Sequence, residues 1–147
     1  MIQADHEHDR KETIHLIEHI PGHQPREDDP FYKFFHATHK RMHDEGRLVC
    51  AMKSSRCCGG IELHHFMVEY SQVNAIDLTK FKAKYPHVKV ETYDDFFAWC
   101  ESEENMMPLC KCHHTGRLGI HEIPLPLWQT EVLEKEGLAP AAEVTHS

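Results

Sequence analysis

The sequence predicts an α+β domain in which a small two-stranded unit, pinned by metal, is surrounded by several α-helices. Three observations carry this expectation. Two short apolar runs, at 48–52 and 61–68, flank a turn containing Cys57-Cys58-Gly59-Gly60, as expected of a pair of strands. Elsewhere apolar residues recur at helical spacing, with capping residues before them and glycines after them. Finally, the six cysteines and fifteen histidines include two sulfur-bearing clusters, one on each side of the histidine pair His64-His65. A chain of 147 residues is most economically one domain with a modest core, and a two-strand unit cannot bury enough surface alone. A structural zinc would make up the shortfall.

The elements follow in order. Residues 1–27 are polar, charged and histidine-rich, broken by Pro21-Gly22 and Pro25, and are expected to form a mobile arm. Within it 13–20 has the pattern of one short helix or strand. His6, His8, His15, His19, His23, His36 and His39 are scattered without ligand spacing, as in a solvated or weakly metal-binding segment. The domain proper is expected over 28–137, with 138–147 as a flexible tail. Asp28-Asp29-Pro30 supplies an N-cap and a first-turn proline. Phe31, Phe34, Phe35, Thr38 and Met42 give the following helix its buried face, and Gly46 ends it.

The strand at 48–52 is predicted to pair, antiparallel and through the cysteine turn, with the strand at 61–68. Alternation then puts Ile61, Leu63 and His65 on one face and Glu62, His64 and Phe66 on the other. A site shared by both histidines would need a bend or bulge. A short basic helix over 77–85 stops before Pro86, and an apolar helix follows Tyr93-Asp94-Asp95 through Phe96, Phe97, Trp99 and Cys100, the last a buried core thiol. Gly116 and Gly119 allow a tight turn that returns His121 to the cysteine/histidine cluster. A last helix over 124–137 buries Leu127, Trp128, Val132 and Leu133, with Gly137 as its stop.

Composition narrows the function. No stretch reaches the roughly 18 to 20 apolar residues of a bilayer span, and the first residues lack a basic start followed by an apolar segment. The expectation is a cytoplasmic protein with no membrane partner, whose cysteines remain thiols or bind metal. The formal charge of −8 opposes nucleic-acid binding overall, because phosphate contact wants positive charge. Local patches can differ in sign. Lys80, Lys82 and Lys84 interleave with Phe81 and Tyr85, a pattern shared by phosphate-contacting segments and solvated helix faces.

The chemistry concentrates at His64-His65 and at Asn105 followed by Cys110-Lys111-Cys112-His113-His114. Two adjacent histidines beside a distant Cys/His cluster provide ligands for a metal ion and a free imidazole next to it. That is the minimum equipment for metal-assisted phosphodiester hydrolysis.

In the order of their elements, Glu62-Leu63-His64-His65 and then Asn105 through His114 resemble the HNH endonuclease family, whose core is a ββα-metal (His-Me) finger, in its cysteine-containing zinc-knuckle branch. The ending His113-His114-Thr115-Gly116-Arg117-Leu118-Gly119-Ile120-His121 is similar to small phage and bacterial members. The resemblance covers roughly residues 48–123, with an unusually long spacer between His65 and Asn105. It implies a DNA-hydrolysing enzyme in the cytoplasm, or the host cytoplasm if phage-encoded. His65 takes the general-base position, and His64 and His114 take the positions that ligate a divalent ion (Mg, Mn, Ni or Zn). His121 is either a third ligand or a phosphate contact. Asn105 braces the loop carrying His65, and Glu62 either orients a histidine or faces solvent. Lys111 and Arg117 flank the phosphate.

The same register implies a separate structural zinc on Cys50, Cys57 or Cys58, Cys110 and His113, with Cys57 preferred and Cys112 displaced from its expected place. A protein partner delivering the substrate fits the acidic charge. Two other functions share the sequence features: a catalytically inactive zinc-stabilised module that binds nucleic acid or protein, and a histidine-rich metal buffer.

Overall fold

The computed structural model describes residues 7–135 and 137–143. His6, residue 136 of the expected last helix, and residues 144–147 of the expected tail lie outside the described residues. The fold is α+β: a two-stranded antiparallel sheet with helices packed around it.

Helix α1, Tyr32–Asp44, begins later than the acidic pair suggests. Asp29 caps locally by accepting the Phe31 N–H at 2.8 Å. Its buried positions are Thr38 and Met42. Gly46, at φ 71°, closes the helix as expected, with the Arg47 N–H reaching the Met42 carbonyl at 2.8 Å.

Strand pairing differs from the expectation. Strand β1, Ile61–His65, pairs not with 48–52 but with β2, Met106–Cys110, in the register Ile61↔Cys110 to His65↔Met106. Pro108 lies within β2, although proline cannot donate to a ladder. It is tolerated because β2 has β1 on one side only, and its carbonyl accepts the Ala51 N–H at 2.8 Å. Residues 48–52 therefore run beside the sheet as coil, with Val49 exposed and Cys50 and Met52 buried.

Beyond His65 the expected strand is taken over by Asn105. Its carbonyl accepts the Phe66 N–H at 2.8 Å, and its side-chain Oδ1 accepts the Met67 and Val68 N–H groups, both at 2.9 Å. Its Nδ2 donates to the Val68 carbonyl at 3.0 Å and to the Cys100 carbonyl at 2.8 Å. One fully buried amide thus ties the end of β1 to the end of the inserted helices.

The insert consists of a 3₁₀ segment (Tyr70–Ala75), α2 (Leu78–Lys84) and α3 (Tyr93–Cys100). Asp77 caps α2 by accepting the Lys80 N–H at 2.9 Å. Thr92, not the acidic pair after it, caps α3, in a reciprocal box with Asp95. Phe81, Phe96, Trp99 and Cys100 pack with Val68, Val88 and Val90 into a cluster of their own.

Directly after β2 comes α4, Lys111–His114, which packs back on both strands. The last helix is shorter than expected: α5, Leu125–Gln129, then a 3₁₀ turn at Thr130–Val132. Of the expected stripe only Trp128 is buried, while Leu127, Val132 and Leu133 are exposed. The inward position three residues after Trp128 belongs to Glu131, a buried carboxylate.

Replacing Asn105 with alanine strands four backbone groups in a dry site. It is expected to lower the unfolding free energy by roughly 3 kcal/mol or more, read by chemical denaturation. An unchanged midpoint would mean that the amide is not what holds the end of β1.

Candidate metal centre

The side chains of β1 divide as alternation requires. Leu63 packs with Met42, Met106 and Phe35 on the α1 side, and His65 stacks on Phe35 there, ring centroids 6.1 Å apart. On the other face Glu62 and His64 meet α4. The register is continuous from residue 61 to 65, so no bulge brings the two histidines together.

Among the described residues two groups of candidate ligand atoms result, each with its members within 4.8 Å of one another: Cys50, Cys57, Cys110 and His113; and His64, His114 and His121. In the first, Cys50 precedes β1, Cys57 lies in the turn, Cys110 ends β2 and caps α4, and His113 sits within α4. The His113 Nδ1 lies 3.0 Å from Cys110 Sγ and 3.8 Å from Cys50 Sγ. Ligands 2.0 to 2.3 Å from a common tetrahedral zinc lie about 3.5 to 3.8 Å apart, so the buried Cys3His set is of the right kind and close to the right size.

Burial pushes the Cys110 thiol up, but hydrogen bonds from the His113 and Cys58 backbones and the His113 ring outweigh it and hold the thiol at about 7. Burial pushes Cys57 up to about 11, reinforced by the neighbouring sulfurs of Cys50 and Cys110. Crowded sulfurs that cannot all ionise alone are what a cation in their midst relieves.

The outer edge of His113 faces a carboxylate. Its Nε2 lies 3.3 Å from Glu131 Oε1, an ion-pair distance without an aligned hydrogen bond. The same oxygen accepts the Ser54 hydroxyl at 2.6 Å. A metal-ligating imidazole commonly gives its other N–H to such a group, which sets its tautomer. Trp128 Nε1 donates to the His113 carbonyl at 3.2 Å, so α5 braces the same residue from behind.

The second group faces the other way. His114 Nδ1 lies 3.0 Å from Glu62 Oε1, which favours the proton on Nδ1 and a lone pair on Nε2. That Nε2 is 3.0 Å from the Nε2 of His121. His64 lies edge-on to both rings, at centroid distances of 5.2 and 4.9 Å. It is buried, and its Nδ1 has no hydrogen-bond partner among the described residues. Two ring nitrogens that converge beside an orphaned third repel unless a proton or a cation lies between them. The donor set fits a divalent transition metal, for which imidazole is a common ligand.

Burial, then the nearby His121, His114 and His65, lowers the His64 pKa to about 4, so this imidazole is neutral and able to ligate at physiological pH. Gly119 makes the convergence possible. A Cβ there would stand 2.5 Å from the His114 carbonyl oxygen, and the chain turns back so that the His121 N–H reaches that oxygen at 3.2 Å.

Cys58 and Cys112 belong to neither group. The Cys112 N–H reaches the Cys58 carbonyl at 3.3 Å, and the two residues are joined as a disulfide with Cα atoms 5.4 Å apart. The expectation that all six cysteines are thiols or ligands is corrected by this pair. Of Cys57 and Cys58, it is Cys57 whose sulfur groups with the other three candidate ligand atoms among the described residues.

Among the basic residues, Lys111 and Arg117 are exposed at the start of α4 and just after it, whereas Lys80, Lys82 and Lys84 ride on α2 in the insert. Lys82 is paired with Glu91 at 3.0 Å. Arg26, Glu101 and Glu131 were not foreseen from the sequence. Glu101 and Glu131 sit in acidic or mixed stretches that look solvated in one dimension, and only their burial reveals them.

No protein-family profile, curated protein or solved structure matches this chain.

Metal analysis distinguishes the two groups. Cys57→Ser is expected to lose one tightly bound zinc and much of the folded stability, whereas Cys58→Ser keeps the zinc; the reverse outcome would reassign the ligand. The His64 pKa also sets a pH dependence. Its folded value of about 4 lies below the ordinary 6.5, so its contribution is complete above pH 6.5 and is lost as pH falls toward 4. Denaturation midpoints of the metal-free protein should drop over that window, more steeply than in His64→Ala.

Proposed function

We propose that this protein is a metal-dependent endonuclease of the HNH type that hydrolyses DNA phosphodiester bonds, with a ββα-metal finger pinned by a structural zinc. The observation that carries the proposal is the division of the adjacent pair. His64 joins a three-imidazole cluster on one face of β1 and His65 turns to the other, with Cα atoms about 3.8 Å apart. In-line displacement at phosphorus needs that division, because the attacking water and the departing oxygen lie on opposite sides of the phosphorus atom.

In this mechanism His65 accepts the proton of the attacking water. A neutral imidazole suits the task near physiological pH, and its ring keeps a tenth of its side-chain surface in solvent. His64, His114 and His121 would hold a divalent ion, which would supply charge stabilisation at the phosphate and the leaving 3′ oxygen. Glu62 holds His114 in its ligating tautomer. Lys111 and Arg117 neutralise the flanking phosphates, with Lys80, Lys82 and Lys84 extending the contact. Asn105 acts through the backbone, keeping the end of β1 in place.

The formal charge of −8 favours weak affinity for naked DNA and a protein partner that delivers the substrate. It also favours the second function, a zinc-stabilised binding module without catalysis.

His65→Ala is expected to reduce divalent-dependent nicking of plasmid DNA by about 10²- to 10⁴-fold while the fold and zinc content persist. A variant that cuts at the wild-type rate would rule out His65 as the base. Wild-type protein that binds a partner but never nicks across Mg²⁺, Mn²⁺, Ni²⁺ and Zn²⁺ would establish the binding module instead.

A further inference from the structure

Glu101, immediately after α3, is a carboxylate with only 2% of its surface exposed. A charge so placed must be met on every side. Arg26, from the 3₁₀ turn Arg26–Asp28, grips it with both arms of the guanidinium, Nη1 to Oε1 at 2.7 Å and Nη2 to Oε2 at 2.9 Å. The guanidinium is itself held over the rings of Tyr70 at 4.1 Å, Tyr32 at 4.2 Å and Phe35 at 4.9 Å. The buried Thr38 hydroxyl donates to the Glu101 carbonyl at 3.0 Å, which fixes the backbone. The remaining approach to the carboxylate belongs to His65, whose Nε2 lies 3.3 and 3.4 Å from the two oxygens. Phe35 stacks on one side of that imidazole and Tyr70 lies 5.7 Å from it by ring centroids.

We propose that Glu101, locked by Arg26, is the positioning residue of His65. It takes the Nε2–H, which fixes the orientation of the ring and leaves the lone pair on Nδ1 for a water molecule. The catalytic meaning rests on His65 being the base; the hold of Glu101 on the ring does not.

The simpler alternative is an Arg26–Glu101 ion pair that only anchors the segment before α1, with His65 a bystander. The two differ in what happens to the imidazole. An anchor places no demand on the tautomer, whereas a positioning carboxylate enforces the Nε2–H form. The arrangement also gives a residue from the histidine-rich N-terminal region a defined task two steps from the reacting water.

The test uses the full chain labelled with ¹⁵N-histidine, its His65 signals identified by their loss in His65→Ala. Wild type is expected to show His65 as the Nε2–H tautomer, and Glu101→Gln to show a mixture. R26K, which keeps the charge but loses the fork, is expected to show a smaller change in the same direction and decides the matter if Glu101→Gln does not fold. In plasmid nicking, Glu101→Gln should lower kcat by about 10- to 100-fold with KM little changed, and should cost nothing further in a His65→Ala background.

A wild-type His65 in the Nδ1–H form, or a tautomer indifferent to both substitutions, overturns the proposal. So does a Glu101→Gln loss that multiplies fully with that of His65→Ala. If His65→Ala nicks at the wild-type rate, the assignment of the base falls, and the tautomer measurement still decides whether Glu101 holds the ring.

Discussion

The pairing of Ile61–His65 with Met106–Cys110 is the constraint on which the rest of the structure depends. Because side chains alternate along a strand, this one register determines which face each histidine serves. Because α4 follows β2 without a linker, the same register brings His113 toward Cys50 and Cys57 and His114 toward Glu62 and His64. Two short strands cannot hold such a register unaided. At one end the Cys3His cluster is placed to clamp it, and at the other the buried amide of Asn105 closes it. The helices inserted between the strands form a separate apolar cluster and touch the sheet through that amide.

A second pattern is chemical. Three imidazoles, one in each ligand group and one outside both, each face a carboxylate: His114 faces Glu62, His113 faces Glu131 and His65 faces Glu101. The environments differ in ways that suit different tasks. Glu62 is half exposed and meets a ring whose other nitrogen points into a group of imidazoles. Glu131 is buried behind a Cys3His cluster and is steadied by Ser54. Glu101 is buried and gripped by an arginine, beside a histidine that belongs to neither ligand group. In each case the carboxylate restricts where the imidazole proton sits, and hence which nitrogen offers a lone pair. The lowered carboxyl pKa of Glu101 shows the balance at the third site. Burial works against the charge, and the hydrogen bonds from His65 and Arg26 more than offset it.

Much of this was legible in the sequence, for identifiable reasons. The helices at Tyr32–Asp44, Leu78–Lys84 and Tyr93–Cys100 follow from local caps and spacing, which act within one turn. The return of His121 follows from glycines that no other residue could replace at such close approach. The strand partner is not legible locally, because a proline within Met106–Cys110 masks a strand by local rules, while the apolar run at 48–52 mimics one. The last helix was overextended because an apolar stripe was assigned where Glu131 takes the inward position.

By itself, the sequence determined the inventory of candidate ligands and its order along the chain, because cysteine and histidine spacing around a tight turn is local information. It also determined that His64 and His65 must diverge, since the period of a strand is two. Only the tertiary structure decided which strand pairs with Ile61–His65, which of Cys57 and Cys58 faces the other ligands, and that Glu101 and Arg26 stand behind His65. Those facts depend on contacts between residues far apart in the chain. A buried carboxylate looks like any solvated one until the fold has closed around it.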